Sequence, residues 1–358
     1  METIKLKPNQ HHTPNNPICR DNSPRMVELV SDKGLLKISS DAFLNRIDDY
    51  KNSPAKELIN KISSLGATRQ LKTLNPDFTT QLQNLADEFP NFNEVIHHIR
   101  LEFMKSNVLG YSEVVWQTPI LLLGAPGVGK THFANRLSTL LDVSCKKIDF
   151  SVTQAHFSLI GQDRGYADAC EGEVFNLLTA SEYANPIIFI DELDKCVGDS
   201  RYKPSNVLLT LLEKESARKF EDSFIRAPIN ASHINWIFTA NDLSKIPREI
   251  QSRLLQFEIK APTREQCKII AQNIFSDMCK QYERFPKEHR TLSNDVLEVL
   301  AKTNPRELRK LLSTALGQAV SNNRVEILPC DLLIKEHKTK RTSMGFYPVG
   351  SSTHSTLH

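Results

Sequence analysis

Residues 124–131 read Gly-Ala-Pro-Gly-Val-Gly-Lys-Thr and follow directly on the apolar run Ile120-Leu-Leu-Leu123. Nothing else in the chain limits its fold so strongly. A buried strand must end there, a tight loop must turn, and the helical pattern from Lys130 must begin. Glycine lets the backbone wrap closely around an anion, so that successive N–H groups point at it. The positive end of the following helix adds to the same field. Gly124, Ala125, Pro126, Gly127, Val128, Gly129, Lys130 and Thr131 are therefore the expected cradle for the phosphates of a nucleoside triphosphate. Lys130 is placed to reach the β- and γ-phosphates, and the Thr131 hydroxyl to ligate Mg²⁺.

From 119 to 260 apolar runs alternate with helical patterns, which predicts a parallel sheet covered by helices on both faces. The expected strands are Ile120–Leu123, Lys146–Phe150, Ile187–Ile190, Trp236–Thr239 and Leu255–Ile259. The strand ending Ile187-Ile-Phe-Ile190 delivers Asp191 and Glu192 to the sheet edge where ligands bind in such folds. Asp191 is expected to hold the metal and Glu192 to polarise an attacking water.

Around this core lie an N-terminal arm at 1–40 punctuated by prolines, a helical region at 41–110, a nucleotide-binding domain at 111–260, a helical lid at 261–337 and a polar tail at 338–358. A short ordered piece is expected around Met26–Ile38. In the helical region, Phe43, Leu44 and Ile47, then Leu58, Ile59 and Ile62, then Leu82, Leu85 and Phe89, then Val95, Ile96, Ile99 and Phe103 recur at helical steps. Thr263 with Gln266, and Asn304-Pro305 with Glu307, read as helix starts.

The seven cysteines are scattered without a C-x-x-C pair, so a disulfide framework and a zinc site are not expected. His11 and His12 lack a third ligand at useful spacing. The net charge of +3 is small for 358 residues and does not describe a strongly basic nucleic-acid binder. No apolar run approaches the roughly 18 residues of a membrane span, and the N-terminus has no apolar signal core, so a cytoplasmic location is expected.

Taken together, 124–131 and Asp191-Glu192-Leu193-Asp194-Lys195 resemble an AAA+ ATPase, a P-loop NTPase fold, and more closely the ATPase module of Lon proteases. The resemblance covers roughly 90–335. In that family a strand ends in Thr-Ala-Asn, as Phe238-Thr-Ala-Asn241 does here, which implies that Asn241 orients the attacking water. A turn-capping role with Asp242 is the alternative. The segment Ile246-Pro247 to Arg253 resembles the stretch whose last arginine is the family's finger into the neighbouring subunit's ATP, with Arg248 as competitor. Asn304-Pro-Arg306 resembles the start of the sensor helix, making Arg306 the γ-phosphate reporter unless Arg309, one turn on, takes the role.

The resemblance implies a homo-oligomeric ring, with a hexamer the expected size. It implies an ATP hydrolase and, lacking the family's proteolytic domain after residue 337, not a protease by itself. Tyr166, within Gly161-Gln-Asp-Arg164-Gly-Tyr166-Ala167-Asp168, falls at the family's pore-loop aromatic, with Ala167 where a bulkier aliphatic stands and Asp168 adding charge. Threading or remodelling of a partner protein is then the first reading. A nucleic-acid motor or loader using Arg201 and Lys203 on the Ser200–Lys203 loop is the second, and a nucleotide-gated scaffold for a separate effector the third. A mobile-element or defence setting suits either alternative.

Overall fold

The computed structural model describes residues 26–28, 68–74, 77–108, 113–116, 118–151, 155–163, 165–166, 169–195, 204–226 and 228–332. The apolar stripe through Phe43–Ile62, the His11–His12 pair, Arg164, Ala167, Asp168, the Ser200–Lys203 loop and the tail at 338–358 lie outside these residues.

In chain order the elements are β1 (Met26–Glu28), β2 (Thr68–Gln70), α1 (Phe78–Glu88), α2 (Asn93–Val108), β3 (Ile120–Leu123), α3 (Lys130–Leu141) and β4 (Cys145–Asp149). Next come α4 (Ala155–Ile160), α5 (Glu173–Ala180), β5 (Ile187–Asp191), α6 (Pro204–Leu211), α7 (Lys214–Ala217), β6 (Phe220–Glu221) and β7 (Pro228–Ile229). The chain continues through β8 (Asn235–Ala240), α8 (Arg248–Gln251), β9 (Leu255–Glu258), α9 (Arg264–Lys280), α10 (Asn294–Leu300) and α11 (Pro305–Ser321).

Five parallel strands make the central sheet in the order β4-β5-β8-β3-β9. Each stands within one residue of its expected ends. The middle strands are continuous apolar runs because a parallel sheet is covered on both faces. Alternate side chains then enter two separate cores. Leu121, Ile188 and Ile190 pack against α5 and α6 on one face, while Ile120, Leu122, Ile187 and Phe189 pack against α3 and the N-terminal helices on the other. Phe92 stacks on Phe133 at 4.5 Å between centroids, locking the short turn after α1 onto α3. A third core, built from α9, α10 and α11 around Phe275, Leu300 and Leu312, forms the C-terminal helical layer.

The stretch at 41–110 is not helical throughout. Thr68–Gln70 is extended and pairs antiparallel with Met26–Glu28. Three residues alternating Thr-Arg-Gln carry no helical stripe of their own. Arg69 is buried and donates to the carbonyls of Ser181 and Thr179, so tertiary partners set its conformation. Asn185 and Asn235 satisfy the backbone where this N-terminal segment crosses the foot of the sheet: Asn185 accepts from Lys72 N, and both donate to Val114 O.

Candidate nucleotide site

Sheet register brings the chemistry together. Leu123 pairs with Ala240, and Ile190 with Phe238, so the carboxyl ends of β3, β5 and β8 lie side by side. The loop after β3, the Asp191–Glu192 pair and Asn241 therefore face one cavity of about 510 Å³. On its far wall stand Arg306 and Arg309 of α11 with Ile270 and Asp277 of α9.

The loop is built as its glycines require. Gly127 and Gly129 have φ of 87° and 102°, where a side chain would be strained. At Gly127 a Cβ would also come within 3.1 Å of Asn304 Oδ1, so the start of α11 closes directly over the loop. Asn304 caps that helix by accepting from Arg306 N at 3.0 Å. From the other side, Asn91 donates to Val128 O (3.3 Å) and Lys260 O (3.2 Å).

Lys130 is turned onto its own loop. Its ammonium donates to Gly124 O (2.6 Å), Ala125 O (3.1 Å) and Asn241 Oδ1 (2.9 Å). Reaching phosphate means exchanging these contacts. Burial holds the Lys130 ammonium below the usual lysine range, against the opposing pull of Asp191, Asp194 and Glu192.

Asp191 is held by three side chains. Thr239 donates to its Oδ1, Thr131 to its Oδ2 at 3.2 Å, and the Lys147 ammonium stands 2.7 Å from Oδ2. Burial raises its pKa, but the Lys147, Thr239 and Thr131 contacts together outweigh that and hold it below the usual carboxylate value. A hydroxyl and a carboxylate oxygen converge here, a hard donor pair suited to Mg²⁺ sharing its other positions with phosphate and water. Glu192 adopts φ 57° and donates its N–H to Thr239 Oγ1 at 3.1 Å. Glu192 lines the cavity. Asn241 is steadied through its own N–H, which donates to Asp194 Oδ1 at 3.2 Å.

Two expected residues lie elsewhere. Arg253, after α8, is not in the cavity wall, and its guanidinium donates to Glu249 O at 2.9 Å. Tyr166 sits 56% exposed on the loop between α4 and α5. Lys147, Thr239 and Asp194 were missed by sequence reasoning. Lys147 carried a faint signal, a lysine inside a strand of the central sheet.

A glycine-lined phosphate loop beside an Asp–Glu pair at the edge of a parallel sheet defines a P-loop nucleoside triphosphatase, and the comparisons give the class its name. Residues 120–263 match the family described as ATPase family associated with various cellular activities (AAA). The chain therefore carries an AAA ATPase domain, a nucleotide-binding fold, and that domain resembles the ATPase region of Lon proteases. The Lon protease of Bacillus thuringiensis (strain Al Hakam) is 30% identical over 233 residues, which is 63% of this chain and 29% of the relative. That of Campylobacter jejuni is 31% identical over 189 residues, 52% of this chain and 24% of the relative. The chain thus spans under a third of the length of these relatives. Among solved structures, the Thermotoga maritima RuvB Holliday junction branch migration motor is similar at 16% identity and a TM-score of 0.44, over 67% of each chain.

Proposed function

We propose that this chain hydrolyses ATP with Mg²⁺ and couples the cycle, within a homo-oligomeric ring, to remodelling a partner protein. The observation that carries the hydrolytic part is the convergence of Lys130, Thr131, Asp191, Glu192 and Asn241 on one cavity roofed by Arg306. The loop N–H groups and Lys130 bind the triphosphate. Thr131 and Asp191 would hold the divalent ion, whose charge would offset that of the phosphate oxygens. Glu192 polarises the attacking water while Asn241 orients it. Arg306 approaches the γ-phosphate from the lid, so hydrolysis changes the contact between α11 and the phosphate loop.

The position of Arg253 supports a shared site. A guanidinium outside its own cavity, held by the backbone carbonyl of Glu249, can serve a neighbouring subunit's ATP. Tyr166 supports a polypeptide partner, since an exposed aromatic offers a large apolar contact at low entropic cost. Among the described residues no helix is long and apolar enough to cross a membrane.

Stimulation of ATP turnover by an unfolded protein and by nucleic acid, each at two salt concentrations, tests the partner. The expected result is stimulation by the unfolded protein, abolished in Tyr166→Ala with basal turnover unchanged. Stimulation by nucleic acid alone, falling steeply with salt, would overturn it in favour of a nucleic-acid motor.

A further inference from the structure

The ammonium of Lys147 stands 2.7 Å from Asp191 Oδ2, the oxygen that also accepts from Thr131. That carboxylate is mostly covered, at 15% side-chain exposure, whereas Lys147 is 44% exposed on the outer strand β4. Lys147 thus reaches across from a neighbouring strand to neutralise the residue that faces Thr131. Among the described residues its next contact is the Phe189 ring, 6.0 Å from the ammonium. The other basic groups of the cavity lie away from Asp191 Oδ2. Lys130 is on the loop carbonyls, and Arg306 and Arg309 are on the opposite wall.

We infer that Lys147 is a resident counter-ion of Asp191 that competes with the divalent metal for the same carboxylate oxygen. A metal ion drawn to Thr131 and Asp191 meets an ammonium already bonded to Oδ2, and two cations repel at that distance. The ion therefore enters by displacing Lys147, whose flexible stem and solvent-facing position let it swing away. Displaced, the ammonium remains in the cavity wall, where it adds positive charge beside the triphosphate. Lys147 then has two opposite effects. It weakens metal binding, and it supports metal-free nucleotide binding by supplying part of the charge the metal would bring. Lys147 is a positioning residue here, setting the order in which nucleotide and metal engage.

This rests on the reading of Asp191 and Thr131 as the metal pair, and binding assays separate the two claims. A fluorescent ATP analogue is titrated onto wild type, Lys147→Met and Lys147→Arg, first in EDTA and then against increasing Mg²⁺ at fixed analogue. Lys147→Met keeps the apolar stem and removes the charge. The expected result is a roughly fivefold loss of affinity in EDTA together with a roughly fivefold lower Mg²⁺ midpoint, the scale of one partly exposed ion pair. Lys147→Arg keeps the charge and stays near wild type in both. Loss in both titrations would mark a structural role and overturn the inference, as would no change in either. If the wild type's affinity does not respond to Mg²⁺ at all, the metal pair itself is wrong and the inference falls with it. A melting curve for each variant confirms that the folded protein is being compared.

Discussion

Single side chains carry most of the chemistry. Lys130→Ala removes the ammonium that meets phosphate and should weaken ATP binding at least tenfold, about 1.4 kcal/mol or more, in a direct titration. Asp222 offers a separate test of how buried charge is managed. It is fully buried, accepting from Gly172 N (2.7 Å), Phe224 N (2.9 Å) and Ile225 N (3.0 Å), which ties the β6–β7 turn to the start of α5. Burial pushes its pKa up to about 6 from 3.8, against those three N–H groups. A raised carboxylate pKa means that the fold prefers the protonated form. Its contribution to stability is then fully present below the unfolded value and is lost as pH rises from about 4 to 6. The loss is on the order of 3 kcal/mol. Asp222→Asn does not titrate, so its stability deficit against wild type should be larger at pH 4.5 than at pH 7.5. A deficit independent of pH would show that Asp222 is ionised across that range.

At the scale of elements, the phosphate loop depends on what leans on it. Asn304 both caps α11 and crowds Gly127. Asn304→Ala should cost about 1 kcal/mol of stability by denaturant unfolding and also weaken nucleotide binding, because Arg306 stands on the same first turn. Phe92→Ala, which opens the packing between the N-terminal turn and α3, should cost about 3–5 kcal/mol. The five sheet strands were legible in the sequence because a doubly covered strand must be an apolar run, and Ile187-Ile-Phe-Ile190 has no other good use. The phosphate loop was legible because its glycines and Lys-Thr ending serve one geometry. β2 was not, since its pairing with β1 comes from a segment some forty residues away. Nor was the link from Lys147 to Asp191, which exists only once β4 lies beside β5 in register, Asp149 opposite Asp191. Local pattern reports what an element buries. It is silent on which polar groups two elements bring together.

For the whole molecule, the account requires subunits to complete one another's sites. Arg253→Ala and Lys130→Ala subunits, each inactive alone, should recover part of the activity when mixed, because one supplies the guanidinium and the other the phosphate loop. ATP should also promote assembly, seen as a larger species in sedimentation. Full turnover by a protein that stays monomeric at micromolar concentration would contradict the shared site. The central claim is more basic: bound ATP is hydrolysed in the cavity between the sheet edge and α11, with Glu192 activating the water. Glu192→Gln tests it most directly, with nucleotide affinity and single-turnover phosphate release measured on the same protein. The account predicts affinity within about threefold of wild type and release slowed by at least about a hundredfold, the scale of a lost general base. Phosphate release at the wild-type rate would contradict it.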